Sequence, residues 1–237
     1  MLNIHTHNVL PDAIYNIRYG KQGDVQGWSL AIDNIVGRSY DGRIGRECFG
    51  GGAFSVGVHP WDSAAVAVDD AFVSLAEKAC FIGECGLDKP CGIPIYMQQS
   101  IFEQQIVLAE KLHKPMIIHC VGMYGRLLDM RKKSSSPTWV VHGCYASKEW
   151  IREAAKYDMA FSIGMRELCR PRANEILTNI PISRLFLETD EADNIVEVYN
   201  LAAQLLGMSA TALDAQIVQN YQQLLCRDAN DTSLQQL

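Results

Sequence analysis

The chain begins Met1-Leu2-Asn3-Ile4-His5-Thr6-His7, an apolar run that turns polar with two imidazoles two residues apart. In extended backbone, residues i and i+2 point to the same side of a sheet, so both rings can reach one metal ion. The same design recurs downstream in Val56-Gly57-Val58-His59-Pro60, Phe81-Ile82-Gly83-Glu84, Met116-Ile117-Ile118-His119, Trp139-Val140-Val141-His142 and Leu185-Phe186-Leu187-Glu188-Thr189-Asp190. Five of the chain's 6 histidines fall in this set. Isolated polar groups on apolar strands would each need a partner of their own in the core. A shared metal centre satisfies His5, His7, Glu84, His119, His142 and Asp190 together. Such a mixed nitrogen and oxygen set suits zinc, manganese, iron or cobalt, and magnesium less well on a side made only of histidines. Six ligands exceed what one tetrahedral ion takes, so two divalent ions bridged by a carboxylate are expected, with metal-assisted hydrolysis as the reaction class. His59 fits a hydrogen-bonded turn before Pro60 as well as it fits a site residue. Asp88 and Glu188 read as supporting groups, and His113 as a surface residue at a helix end.

These residues need a scaffold that brings strand ends together. From Phe54 onward apolar strands alternate with helical periodicities over Val66 to Lys78, Ile101 to Leu112, Tyr124 to Arg131, Lys148 to Lys156 and Glu167 to Thr178. Two closing helices follow, Ile195 to Leu206 with Gly207 as C-cap and Ala210 to Leu225 behind Ser209 as N-cap. Strands alternating with helices predict a mostly parallel sheet with helices outside it. Counting a weaker strand over Trp28-Ser29-Leu30-Ala31-Ile32 gives eight, which favours an α/β fold of the TIM (β/α)8 barrel type, where the C-terminal strand ends build the active site. Residues Asn8 to Gly27 take no clear assignment, and the five glycines between Gly42 and Gly52 read as a loop, so the N-terminal region is expected to be irregular.

The totals agree. A chain of 237 residues with 48% hydrophobic content is near the size of one such barrel, and one domain over 1–237 is expected. No apolar stretch is long enough for a membrane helix, and the first residues lack a basic and then apolar leader, from which a cytoplasmic enzyme is expected. The 8 cysteines run from Cys48 to Cys226 without a CxxC pair, which fits reduced, mostly buried thiols better than a zinc knuckle. A net charge of -6 argues against a broad basic surface gripping many phosphates, though not against a site that handles one phosphate through metals.

Taken in order, His5-Thr6-His7, Gly57-Val58-His59-Pro60, Gly83-Glu84-Cys85-Gly86-Leu87-Asp88, Pro115 to His119, Val141-His142-Gly143, Leu187-Glu188-Thr189-Asp190 and the ending Asn220-Tyr221-Gln222-Gln223-Leu224-Leu225 resemble the TatD family of metal-dependent hydrolases and deoxyribonucleases. The resemblance implies an amidohydrolase-like barrel in which His5, His7 and Asp190 hold one divalent ion, His119 and His142 a second, and Glu84 bridges them. It further implies that Asp190 orients or deprotonates the nucleophilic water, that His59 contacts substrate, and that the substrate is DNA or a small phosphoester. Asn3 stands where the family usually has Asp, and Cys120-Val121-Gly122 follows His119 where many members carry Arg and then Asp. Three functions stay open on the sequence: a phosphodiesterase or deoxyribonuclease acting on strand ends, a hydrolase of another ester or amide, and a metal-binding scaffold without turnover. Arg126, Arg131, Lys132 and Lys133 are candidate phosphate contacts near the His119 loop, or else a solvated helix face.

Overall fold

The structure, a computed structural model, describes residues 1–7, 13–20, 53–192 and 194–230. Its eight strands are β1 (Asn3–Thr6), β2 (Ala13–Arg18), β3 (Phe54–Gly57), β4 (Phe81–Asp88), β5 (Met116–Val121), β6 (Trp139–Val141), β7 (Met159–Ile163) and β8 (Leu185–Leu187). They pair in chain order and every pair is parallel. A parallel bridge between Thr6 and Asp190 joins the first strand to the chain just past the last, with His7 N donating to the Asp190 carbonyl at 2.9 Å. The sheet thus closes into a (β/α)8 barrel of the amidohydrolase-like kind.

The second strand corrects the reading of the sequence. Ala13–Arg18, inside the segment left unassigned, takes the place between β1 and β3. The strand expected at Trp28 and the loop at Gly42 to Gly52 lie outside the described residues.

The helices are α1 (Asp70–Lys78), α2 (Ile95–Leu112), α3 (Tyr124–Arg131), α4 (Lys148–Ala154), α5 (Met165–Leu168), α6 (Ala173–Asn179), α7 (Ile195–Leu206) and α8 (Ala210–Asn230). The helix expected from Glu167 to Thr178 is two, α5 and α6, because Pro171 lacks the amide donor that a continuous helix would need there. Asp69 caps α1 by accepting from Phe72 N, and the buried Lys114 ammonium closes its other end by donating to the carbonyls of Ala76, Glu77 and Ala79. Gly207 ends α7 in the left-handed region at φ 67°, and the Ser209 hydroxyl accepts from Ala212 N at the start of α8. Strands β1, β3, β4 and β7 are buried at every position, as strands covered by helices on the outside and packed on the inside must be. No single helix among the described residues is long and apolar enough to cross a membrane.

Candidate metal centre

β4 carries the residue around which the site is arranged. It continues past Glu84 to Asp88, pairing Cys85 through Asp88 with Ile118 through Val121 of β5, after an irregularity between Ile82 and Cys85. Two glycines make this approach possible. Gly83 and Gly86 have φ of 138° and 144°, and a Cβ at either would fall 2.2 Å from the Ile117 carbonyl oxygen or 2.1 Å from that of His119. Glu84 therefore enters the barrel mouth on a strand pressed directly against the one that bears His119.

The two Glu84 oxygens face different partners. Oε2 lies 3.7 Å from His5 Nε2 and 3.5 Å from His7 Nε2, and both rings are at similar distances, 3.6 and 3.5 Å, from Asp190 Oδ1. Oε1 lies 2.7 Å from His119 Nδ1, 2.7 Å from His142 Nε2 and 3.2 Å from His59 Nε2. Asn16 of β2 holds this carboxylate in place: its Nδ2 donates to Oε2 at 3.3 Å, while its Oδ1 accepts from Glu84 N and from the Ser55 hydroxyl.

Other side chains set the rings. Asp88 Oδ2 stands 3.1 Å from His119 Nε2 and also accepts from the Trp61 indole at 2.7 Å. Glu188 Oε1 stands 3.5 Å from His142 Nδ1 and accepts from Gly143 N, while its other oxygen accepts from the Ser162 hydroxyl. Carboxylates behind imidazoles in this way fix ring orientation and raise basicity. Asp88 and Glu188 stand behind His119 and His142 and outside the three donor groups described below. Asp190 adopts the left-handed conformation at φ 56°, which Asp tolerates better than most residues.

Electrostatics follow from this packing. Burial pushes the Glu84 carboxyl up, but the facing His142, His119 and His59 outweigh it and hold the group well below the usual carboxylate range. Burial likewise raises Asp190, yet the His5 and His142 imidazoles bring it down to about 2. Burial pulls His142 and His7 down, and their carboxylate neighbours reverse this, so both end above the ordinary histidine value. For His59 burial wins and the imidazole is shifted down.

The donor set fits divalent metal ions. Two ligands of one ion, each about 2.1 Å from it, stand roughly 3.0–3.4 Å apart. The spacings of 3.5–3.7 Å among His5, His7, Glu84 and Asp190 lie within a few tenths of an ångström of that. Among the described residues both ring nitrogens of the buried His5 lack a hydrogen-bond partner, a costly state that a metal ion at Nε2 would relieve. Among the described residues three groups have donor atoms all within 4.8 Å of one another: His5, His142 and Asp190; His5, His7 and Glu84; His59, Glu84 and His119. All six expected ligands therefore meet in one place. The grouping differs from the implied one: His142 stands with His5 and Asp190, and His59 in its stead with Glu84 and His119, while His59 Nδ1 accepts from Trp61 N at 3.2 Å.

Among the described residues, two clefts that open on this cluster share His119, His142, Arg166 and Asp190. One, of about 510 Å3, is walled by Tyr15, Arg18, His59 and Trp61. The other, of about 240 Å3, is walled by Tyr124, Tyr145, Glu167 and Arg170, with Cys120, Val121 and Gly122 along one edge. None of Arg126, Arg131, Lys132 and Lys133 lines either cleft; Arg131 is buried and donates to the carbonyls of Tyr157 and Ser136, and Arg126 bonds to Gln99. Asn3 forms a reciprocal pair with Thr189, donating to its hydroxyl at 2.8 Å and accepting from its amide at 3.2 Å. It thereby ties β1 to the residue before Asp190.

Sequence reasoning missed Asn16, Trp61, Arg18 and Arg166. A signal existed for the first: an amide amid the apolar residues of Ala13-Ile14-Tyr15-Asn16-Ile17 has the same form as the histidine-bearing strands.

The chain is thus a closed (β/α)8 barrel with a cluster of potential metal ligands at its mouth. The profile of the family described as "TatD related DNase" matches residues 45–226, and the chain belongs to that family. It is 36% identical over 121 residues to the human "3'-5' RNA nuclease TATDN2", covering 48% of this chain and 16% of that protein. It is 34% identical over 149 residues to the "3'-5' ssDNA/RNA exonuclease TatD" of Klebsiella pneumoniae, covering 57% of this chain and 56% of that one. The chain thus spans about half the length of the bacterial relatives it matches and much less of the human one. Among solved structures, the TatD homologue YJJV of Escherichia coli superposes with a TM-score of 0.71 at 18% identity, covering 90% of this chain and 85% of that one. A TatD-family hydrolase of Entamoeba histolytica gives 0.70 at 16%, covering 90% and 83%. These likenesses place the fold.

Proposed function

We propose that the protein is a divalent-metal-dependent phosphodiesterase that shortens nucleic acid, DNA in the first instance, from an accessible strand end. The observation that carries this reading is the division of Glu84, whose two oxygens face two separate sets of donors, as a carboxylate shared by two ions would. In this reading His5, His7 and Asp190 hold one ion, His119 and His142 the other, and Glu84 both, with His59 beside the second as a substrate contact or additional donor. Bound there, such ions supply Lewis acidity toward a phosphoryl oxygen.

The chain's own residues do the rest. Asp190 is ionised and its carboxylate faces His5 and His7, placed to orient an attacking water. Asp88 and Glu188 keep His119 and His142 turned toward Glu84. Arg166, with a side chain 73% exposed, lines both clefts and supplies a guanidinium for phosphate that the residues after His119 do not.

Purified protein with manganese or magnesium should shorten a single-stranded oligonucleotide, and His119→Ala should abolish this. Bound metal without cleavage of any strand would refute it. The absent guanidinium after His119 favours one second reading, hydrolysis of a non-nucleotide ester or amide at the same centre. Turnover of acyl substrates alone would establish that instead.

A further inference from the structure

The larger cleft carries an aromatic side chain that the metal cluster does not account for. Trp61 is 52% exposed although it sits beside the buried core of the site. It is also rigidly held. Its indole N–H donates to Asp88 Oδ2, the same oxygen that faces His119 Nε2, and its ring meets the His59 ring edge-on at 5.0 Å between centroids. The Arg18 guanidinium lies 5.3 Å from the indole centroid and is itself fixed by Asp62, to which its Nη2 donates at 2.9 Å and its Nε donates as well. The short turn Pro60–Asp62 thus carries both the indole and the anchor of the cation beside it.

An exposed indole held by a hydrogen bond and paired with a guanidinium matches the requirements of a stacking platform for a nucleobase. A base gains most from a flat, preorganised π-face, because little side-chain freedom is lost on binding, and an adjacent Arg adds cation–π attraction. A protein partner would ask for a wider apolar patch than one tryptophan beside a cleft lined with Asn16, Glu84 and histidines. We propose that Trp61, backed by Arg18, stacks the base of the nucleotide next to the scissile phosphodiester, so that the larger cleft is a nucleobase subsite. This rests on the phosphodiesterase reading above.

The test uses the full chain with manganese and short single strands whose phosphorothioate linkages resist hydrolysis. Each strand is compared with a copy made abasic at its 3' end and a copy made abasic at its 5' end, and binding is read from quenching of tryptophan fluorescence and from anisotropy of a labelled strand. Stacking predicts that Trp61→Ala weakens binding of the base-bearing strand roughly 10- to 100-fold. It also predicts that one of the two abasic strands binds wild type and W61A alike, and that Trp61→Phe, which keeps a ring but loses the indole donor, falls between them. Quenching should vanish in W61F, since the strand reports on that ring. The proposal is overturned if W61A binds every strand as wild type does, or if it loses base-bearing and abasic strands by the same factor, which would mark Trp61 as a packing residue. Wild type that cleaves oligonucleotides while W61A binds them normally removes the subsite and leaves the phosphodiesterase intact. Wild type that neither binds nor cleaves any strand removes both.

Discussion

Gly86→Ala tests whether the close approach of β4 to β5 is what assembles the site. The substituted Cβ would fall 2.1 Å from the His119 carbonyl oxygen, and φ of 144° lies where side chains other than hydrogen are disfavoured. A carbon–oxygen contact needs about 3.3 Å, so the strands must part by roughly 1 Å or the backbone must leave its conformation. Strain at such a φ costs about 1–3 kcal/mol and overpacking a further 1–3, for a sum of about 4 kcal/mol. At roughly 2–4 °C per kcal/mol for a chain of this size, the melting temperature should fall about 10 °C. The same shift moves His119 Nδ1 from its 2.7 Å contact with Glu84 Oε1. Displacements of about 1 Å near reacting groups cost on the order of 100-fold in rate, so cleavage should drop by about that factor where the variant is still folded. Differential scanning calorimetry and a gel assay at a temperature well below both transitions measure the two effects. A variant that melts within 2 °C of wild type and cleaves at the wild-type rate would refute the reasoning.

Three further outcomes are expected. His7 and His142 are raised above the ordinary histidine value, so in the metal-free chain they retain protons that a divalent ion must displace. Metal affinity should therefore climb with pH, up to about tenfold per unit for each proton displaced, until the raised values are passed. The sign for the metal-free fold is opposite: stability from these protonated rings is present in full below the ordinary histidine value and is lost as pH rises through the raised ones. Calorimetric titration in buffers of different ionisation heat reads the released protons, and pH-independent affinity would contradict the assignment. Arg166→Ala should raise KM for an oligonucleotide about tenfold with little change in kcat and reduce the salt slope of binding by about 1, whereas an unchanged slope would exclude a phosphate contact. Lys114→Met should cost about 3 kcal/mol in chemical denaturation, because three carbonyls at the end of α1 lose their donor, and a loss below 0.5 kcal/mol would show that they are satisfied otherwise.

The architecture was legible because a barrel concentrates polar residues at one strand end, and in this chain that rule alone collected His5, His7, Glu84, His119, His142 and Asp190 before any geometry was known. The second strand was hidden for the converse reason: Ala13–Arg18 carries no histidine or carboxylate, so the residue it delivers, Asn16, offered no metal-ligating side chain to mark it. The helix break is written in Pro171, whose ring removes a donor wherever it sits and outweighs the helical periodicity around it. Ligand partition is another matter. Whether a histidine faces Oε1 or Oε2 of Glu84 depends on a side-chain torsion fixed by Asn16, and no spacing in one dimension encodes it. His59 shows the consequence, since its imidazole reaches the same oxygen as His119 and His142 while its other nitrogen holds the turn that presents Trp61. The turn reading of His59 is realised at Nδ1 while its Nε2 stands among the clustered donors, and one ring thereby joins that cluster to the wall of the larger cleft.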